Sequence, residues 1–361
     1  MTPRPSTPLK PTRQPATPRQ QPETGAAPAT AATPHAAVGH TAVGSVWPVA
    51  QTSSRSQRAG RYLPAAMAHP GKMLPALART AIATYTAPGD LVLDPMCGIG
   101  TTLIEAVHAG RDAVGVEYEP HWADLARDGI DHAVDAGAGG HAAVATGDAR
   151  HAPVLLGDGL AGRVRLLLTS PPYGASTHGR VAAPGAGKVS KWFNSYGEDR
   201  SNLAHRPLPE LLDGLTDILR ACLPLLASEA TVVLTTRPYR HHGHLIDLPG
   251  AALHAAVSIG LEPVGRYVAL LAGVRGGRLV PRVSFFQLAN VRAARRAAIP
   301  LQAIAHEDVL VLRGPTHSTP GPAAPTPAAL KPAAGTLSKG HRPSPPTAGP
   351  ARGLNDLPKA A

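Results

Sequence analysis

The chain reads as an α/β protein, a doubly wound sheet of about seven strands with an antiparallel edge hairpin, flanked by two disordered tails. Three observations predict this. Short apolar runs alternate with helical apolar periodicity from about residue 60 to Arg313, as in a largely parallel sheet with helices on both faces. A glycine-bearing turn, Pro95-Met-Cys-Gly98-Ile-Gly100-Thr101-Thr102, stands between a strand and the first turn of a helix. Carboxylates fall at the ends of three successive strands, at Asp94, Glu117 and Asp148, the edge where open α/β sheets hold ligands.

The first strand is Asp90-Leu-Val-Leu-Asp94, and the helix after the turn starts with Leu103, Ile104, Ala106 and Val107. Gly98 and Gly100 let the backbone approach a nucleotide-like ligand, and Thr101 or Thr102 is expected to cap the helix. The second strand, Asp112 to Glu117, ends in a carboxylate placed for both hydroxyls of a ribose. A third, His141 to Thr146, runs into Gly147-Asp148, whose carboxylate is placed to accept from an adenine amino group. The G-x-G-x-x-G spacing of dinucleotide sites is absent, because Leu103 stands at its third glycine. The carboxylate before the glycines suits a cationic sulfonium bearing an ammonium group better than a pyrophosphate. These residues therefore favour S-adenosylmethionine over a dinucleotide.

The fourth strand, Val164 to Leu168, leads into Thr169-Ser170-Pro171-Pro172-Tyr173. Two prolines fix φ and stop the ladder, so the chain leaves the sheet stiff and extended. An amino nitrogen conjugated to a ring is a poor nucleophile. The Ser170 side chain and a carbonyl turned inward by the proline pair can accept its N–H groups as it pyramidalises, and Tyr173 offers a ring face for the base.

Together, Asp94-Pro-Met-Cys-Gly-Ile-Gly-Thr-Thr-Leu-Ile-Glu-Ala and Thr169-Ser-Pro-Pro-Tyr resemble the S-adenosylmethionine-dependent amino-methyltransferases, most of all the bacterial DNA N4-cytosine/N6-adenine methylases. His69-Pro-Gly-Lys72-Met-Leu-Pro75 is similar to the family's His-Pro-x-Lys-x-Pro segment, and His306 to Arg313 to its closing strand. The resemblance spans roughly residues 60–313 and implies a Rossmann-like methyltransferase domain. It implies that Ser170, Pro171, Pro172 and Tyr173 form the catalytic pocket. It assigns cofactor binding to His69, Lys72, Asp94, Pro95, Gly98, Gly100, Thr101, Thr102, Glu117 and Asp148. Serine at the first pocket position implies cytosine N4 rather than adenine N6. The chain departs from the family in having Met96-Cys97 in the turn and Gly71 where Ala is usual. The Met-Cys pair is also familiar from RNA guanine-N2 methylases, which remain the alternative. A catalytically silent nucleic-acid-binding module is the third reading.

Residues 174–205 turn polar and glycine-rich directly after the pocket, so they read as a lid or nucleic-acid contact loop. Arg180, Lys188 and Lys191 are placed there to meet phosphates while Trp192, Phe193 or Tyr196 stacks on bases. Helices are expected over 208–226 and 245–259, and strands at 231–236, 264–271, 282–288 and 308–312. Arg292, Arg295 and Arg296 recur at near-helical spacing.

Residues 1–45 and 314–361 are rich in Pro, Ala, Thr and Gly and are expected to stay disordered, leaving residues 46–313 as the domain. The formal net charge is +11. Residues 1–60 hold six basic residues and one acid and 314–361 five and one, so most of the excess lies on the arms. Basic arms suit salt-sensitive contact with a polyanion, here double-stranded DNA with its target base flipped out, or RNA in the alternative. Two cysteines, Cys97 and Cys222, make neither a disulfide framework nor a metal site, and no apolar run reaches membrane-spanning length. A reduced cytoplasmic setting, with no metal and no membrane partner, is the expectation.

Overall fold

The computed structural model describes residues 44–173, 180–182, 190–192, 196–197, 199–241, 244–283, 285–296 and 298–316. Both tails, except for their innermost few residues, and Lys188 lie outside them, as do the side chains of Arg180, Lys191 and Trp192. The first half contains β1 (Val46–Trp47), α1 (Ser54–Arg58), α2 (Pro75–Tyr85), β2 (Leu91–Asp94), α3 (Thr101–His108), β3 (Asp112–Glu117), α4 (Pro120–Asp135), β4 (Ala142–Thr146), α5 (Ala152–Leu156) and β5 (Val164–Thr169). After the pocket come β6 (Arg180–Ala182), β7 (Ser190–Trp192), α6 (Leu208–Cys222), β8 (Leu226–Thr236), β9 (Tyr239–His241) and β10 (His244–Ile246). The chain continues through α7 (Leu248–Ser258), β11 (Glu262–Leu270), β12 (Ala272–Arg275), β13 (Arg278–Pro281), α8 (Phe285–Arg296) and β14 (His306–Arg313).

Eight strands form one sheet in the order β1-β11-β14-β8-β5-β2-β3-β4. All neighbours run parallel except β14, which is antiparallel to both β8 and β11. The chain winds outward from β2 through β3 to β4, then crosses back to lay β5 on the other side of β2. That reversal opens a crevice at the carboxyl ends of β2 and β5. The glycine turn leaves β2 and Thr169–Tyr173 leaves β5, so topology sets the two motifs side by side.

Burial on both faces explains why the strands read as continuous apolar runs rather than alternations. In β2, Val92 packs into a core with α2, α3 and α4 through Leu77, Ile82, Leu103, Ile104 and Ile130. Leu91 and Leu93 point the other way, into a core with α6 and α7 through Leu215, Ile218, Leu219, Ala252 and Ala256. Among the described residues, no helix is long and apolar enough to cross a membrane.

Three expectations change. Residues 282–288 do not form a strand. A β12–β13 hairpin instead turns at Gly276 and Gly277, with φ of +52° and +72°, a conformation suited to a two-residue hairpin turn. Pro281 ends that strand and α8 follows, because Phe285, Leu288 and Val291 fit a period of three to four rather than two. Secondly, Val46–Trp47 adds an eighth strand parallel to β11, held by Trp47, which is buried and packs its ring 5.7 Å from that of Tyr267. Lastly, neither threonine caps α3. Gly100 is its N-cap at φ +75°, and both threonines already lie inside the helix.

A buried ionic knot was not legible in the sequence. Glu105 of α3 is fully buried and accepts from the Tyr62 hydroxyl at 2.7 Å, Arg61 at 2.8 Å and Arg79 at 3.1 Å. It ties the segment before α2, and α2 itself, to the helix that follows the glycine turn. Glu105→Ala leaves two guanidinium groups and a buried hydroxyl without their acceptor and should lower stability by about 2–4 kcal/mol in chemical denaturation.

Candidate active site

The site is built around Asp94, the last residue of β2. Its Oδ2 accepts from the Thr102 hydroxyl at 2.6 Å, and its Oδ1 from the Thr169 hydroxyl at 2.8 Å and the Met96 N–H at 3.1 Å. One carboxylate thus joins the glycine turn, α3 and the end of β5. Burial pushes Asp94 up to about 6, against the opposing pull of the Thr102, Thr169 and Met96 hydrogen bonds. Glu117, at the tip of β3, accepts from the Gly98 N–H at 2.8 Å and the Glu119 N–H at 2.9 Å. Burial pushes it up to about 7. Neither carboxylate has a cationic partner within ion-pair distance among the described residues.

His69 covers the turn from outside. A Cβ on Gly98, where φ is +54°, would stand 3.1 Å from His69 Nε2, so the backbone favours glycine and the space beside it is tight. The buried imidazole meets Trp122 and Tyr196 edge-on, at 4.7 and 5.0 Å between ring centres. Burial, with the positive charge of Lys72, lowers its pKa to about 3, so the ring is neutral at physiological pH. The Lys72 ammonium donates to the carbonyls of His69 and Met67 and so braces this segment. Gly71 has a local reason. A Cβ there would lie 1.9 Å from the Tyr196 hydroxyl, which fills the space an alanine methyl would take.

Residues following the pocket fold back across it. The Trp122 indole donates to the Tyr196 carbonyl at 2.6 Å, Asn202 donates to Glu119 at 2.7 Å, and the Tyr118 hydroxyl donates to Asp199 at 2.6 Å. This closes a cavity of about 660 Å³, within the size range of small-molecule sites. Ser170, Pro171, Pro172 and Tyr173 line it. So do His69, Lys72, Asp94, Pro95, Gly98, Thr101, Thr102, Glu117 and Asp148. Gly100 does not line it; a Cβ at that position would press on Ala126 of α4 at 3.2 Å, so its role is helix packing. Asp148 caps the short turn after β4 and is chelated by Arg150, with contacts of 2.5–3.0 Å. Burial alone would raise its pKa, and the Arg150 contacts bring it below the usual carboxylate value.

The Cys97 thiol is buried against Gly115, and burial beside Glu117 and Asp94 raises its pKa, so it is a space-filling group and not a nucleophile. Sequence reasoning singled out neither Tyr118 nor Arg237 as lining residues, and it took Asn202 only as part of the 174–205 loop and Glu307 only as part of the His306–Arg313 strand. Each stands in a loop or at a strand end, where periodicity gives no sign of which side chain will face a cavity.

Two buried carboxylates without a cation form a donor set that a cationic ligand completes. The Asp94 and Glu117 pair, with the open backbone of the glycine turn beside it, therefore fits S-adenosylmethionine. One consequence concerns the roof of the cavity. Gly71→Ala should cost about 1–3 kcal/mol by displacing the Tyr196 ring. Adding Tyr196→Phe should recover most of that loss, because the nearest remaining ring atom would be 3.1 Å away. Denaturation midpoints of the single and double variants check this.

Residues 15–128 match the family model described as DNA methylase, of the N6/N4 type. A type II methyltransferase, M.MthZI of Methanothermobacter thermautotrophicus, is 47% identical over 49 residues, 14% of each chain. The tRNA (guanine(10)-N2)-dimethyltransferase of Methanocaldococcus jannaschii is 34% identical over 112 residues, 30% of this chain and 31% of that one. The matches therefore span about one seventh and just under one third of those relatives. Among solved structures, TrmN from Thermus thermophilus is similar with a TM-score of 0.41 and 20% identity, over 71% of this chain and 53% of that one. By its glycine turn, its Thr169–Tyr173 segment and the family model matched over residues 15–128, the chain is similar to the S-adenosylmethionine-dependent amino-methyltransferases of the N6/N4 DNA methylase type.

Proposed function

We propose that this protein transfers a methyl group from S-adenosylmethionine to the N4 amino group of cytosine in DNA. The observation that carries this reading is one continuous cavity lined by Asp94, Glu117 and Ser170–Tyr173, so that a cofactor and a base would occupy the same cleft. When bound, the cofactor supplies a sulfonium-activated methyl group and departs as S-adenosylhomocysteine. Glu117 takes the ribose hydroxyls, Asp94 favours the cationic methionine end, and Asp148 accepts from the adenine amino group. The Ser170 side chain and the Pro171 carbonyl accept the N–H groups of the target amine as its lone pair turns toward the methyl. The flipped base stacks on Tyr173. The proton released after transfer goes to water, since the methylated nitrogen is acidic. Positioning and electrostatics supply the catalysis.

Serine rather than Asp or Asn at position 170 favours cytosine over adenine, by the family resemblance. Arg180, Lys188, Lys191 and Trp192 are assigned to contact the nucleic acid, with the basic arms adding salt-sensitive attraction. The second reading is methylation of guanine N2 in RNA. It is favoured by the 112-residue match to a tRNA enzyme, which is longer than the match to the DNA enzyme.

The direct test offers labelled S-adenosylmethionine with unmethylated genomic DNA and, separately, unmodified bulk tRNA, followed by digestion to nucleosides. Label in N4-methylcytosine is the expected outcome. N6-methyladenine would overturn the base, and N2-methylguanosine would move the protein to RNA. Asp94→Ala should weaken cofactor binding at least tenfold. Tyr173→Ala should leave it within about twofold while turnover falls on the order of a hundredfold. The raised carboxylates add a pH dependence. Their protonated forms predominate in the free protein below about 6 for Asp94 and about 7 for Glu117. Asp94 must be ionised to favour the cationic end, and Glu117 to accept from both ribose hydroxyls. Cofactor affinity should therefore hold at pH 8 and drop roughly tenfold by pH 6, with protons released on binding. Titration calorimetry in buffers of different ionisation enthalpy measures both. The free protein shows the opposite trend, because groups with raised pKa favour the fold at low pH and lose that contribution as pH rises through 6 to 7.

A further inference from the structure

The connection between β11 and β14 is far longer than the sheet needs. Leu270 pairs with His306 in the antiparallel ladder, so a turn of about two to five residues would join the strands, yet residues 271–305 intervene. Both β11 and β8 are antiparallel to β14, and β8 is parallel to β5. The insert therefore leaves the sheet at the carboxyl edge, over the cavity. Its base belongs to the cavity wall through Leu271, Pro281 and Arg282. From there β12 and β13 project as a separate two-stranded ribbon, and α8 leads the chain back to β14.

This insert carries six arginines and no acidic residue, whereas the rest of residues 61–313 holds 18 basic and 22 acidic side chains. Basicity is thus concentrated here and is not a property of the whole domain. None of the six forms an ion pair among the described residues. Half of them hold the insert in place. Arg275 donates to the Gln51 carbonyl at 2.8 Å, Arg282 to the carbonyls of Ala50 and Gln51 at 3.3 and 3.1 Å, and Arg295 to the Leu301 carbonyl at 3.0 Å. Arg278, Arg292 and Arg296 are exposed and take no part in that bracing. Arg292 and Arg296 stand one turn apart on one face of α8. Arg278 lies directly opposite Arg275 in the ribbon, and like charges so placed repel unless an anion lies between them.

We infer that the 271–305 insert is a docking surface for the phosphate backbone of double-helical DNA beside the target base. The inference rests on the DNA reading above. Guanidinium groups without acidic partners, held on a braced frame, favour a polyanion. A two-stranded ribbon is of a size that the major groove of B-form DNA admits and the deep, narrow groove of A-form RNA does not. Three residue steps separate Arg278 from Pro281 at the cavity wall, roughly 10 Å at the rise of a strand. That is about the span of three phosphates along one strand, so the tip of the ribbon meets phosphates near the base and not a remote stretch of duplex.

The test compares wild type with Arg278→Gln/Arg292→Gln/Arg296→Gln and with the matching lysine triple. It uses the full chain with a labelled random-sequence DNA duplex and, separately, bulk tRNA. Binding is followed by fluorescence anisotropy across a salt series. Thermal midpoint, cofactor dissociation constant and the nucleosides methylated in genomic DNA and in tRNA are measured alongside. The glutamine triple should bind duplex about tenfold more weakly or worse at low salt, and its slope of log affinity against log salt should be shallower by about 2 to 3. Its thermal midpoint and cofactor affinity should match wild type, and kcat at saturating DNA should stay within about threefold while KM rises. The lysine triple, which keeps the charge, should keep the wild-type slope. A glutamine triple with wild-type affinity and slope for duplex would overturn the docking surface and leave the methylation reading standing. So would a lysine triple as weak as the glutamine triple, or a loss confined to tRNA. Wild-type methylation of tRNA alone, or of neither nucleic acid, would instead overturn the DNA reading on which the inference rests.

Discussion

Asp94 accepts hydrogen bonds from Thr102, Thr169 and the Met96 backbone, and the rest of the cavity is placed by that junction. A parallel sheet brings the ends of β2 and β5 together but leaves the loops beyond them free to diverge. Here the carboxylate at one strand tip takes the hydroxyl at the next, so the glycine turn and the Ser170–Tyr173 segment are held in one register. The same oxygens fix the first turn of α3. The glycine turn and the Tyr173 ring are thereby set at a constant separation, the condition under which the transfer proposed above could be direct.

Retaining charge in this setting has an electrostatic cost. Asp94 and Glu117 lie on adjacent strand tips, buried, with hydrogen bonds but no cation, and both titrate near neutrality instead of in the usual carboxylate range. Glu105 is as deeply buried but has two guanidinium partners and a hydroxyl. The contrast separates a structural carboxylate from the two that line the cavity. Complete satisfaction marks the first, and missing positive charge marks the second pair.

The roof of the cavity depends on shape more than on charge. His69 is neutral and wedged between Trp122 and Tyr196, and it covers Gly98 closely enough that a Cβ there would crowd its ring. The Tyr196 hydroxyl in turn excludes a methyl group at Gly71. Gly71 and Tyr196 are therefore fitted to one another: the tyrosine hydroxyl fills the volume that an alanine methyl would take.

By itself, the sequence determined the doubly wound sheet, most strand and helix positions, and the residues of the two main motifs. Those features depend on local chemistry: apolar runs long enough to be strands, glycines at positive φ, and prolines that end a ladder. Residues 282–288 were misread because Val283, Phe285, Phe286 and Leu288 suit a strand or a helix equally, and Pro281 with the Gly276-Gly277 turn decided for a hairpin and α8. The threonines after Gly100 look like caps in one dimension, yet Thr102 bonds to Asp94, eight residues earlier in the chain. Only the tertiary structure could bring Glu105 to Arg61 and Arg79, Tyr196 to Gly71, or Glu307 across from Arg237. Each of these pairings joins residues on different elements, and no local pattern encodes which strand end will face which. The long-range register of β14 on β8, set by burial of both strands in the two cores, decided it.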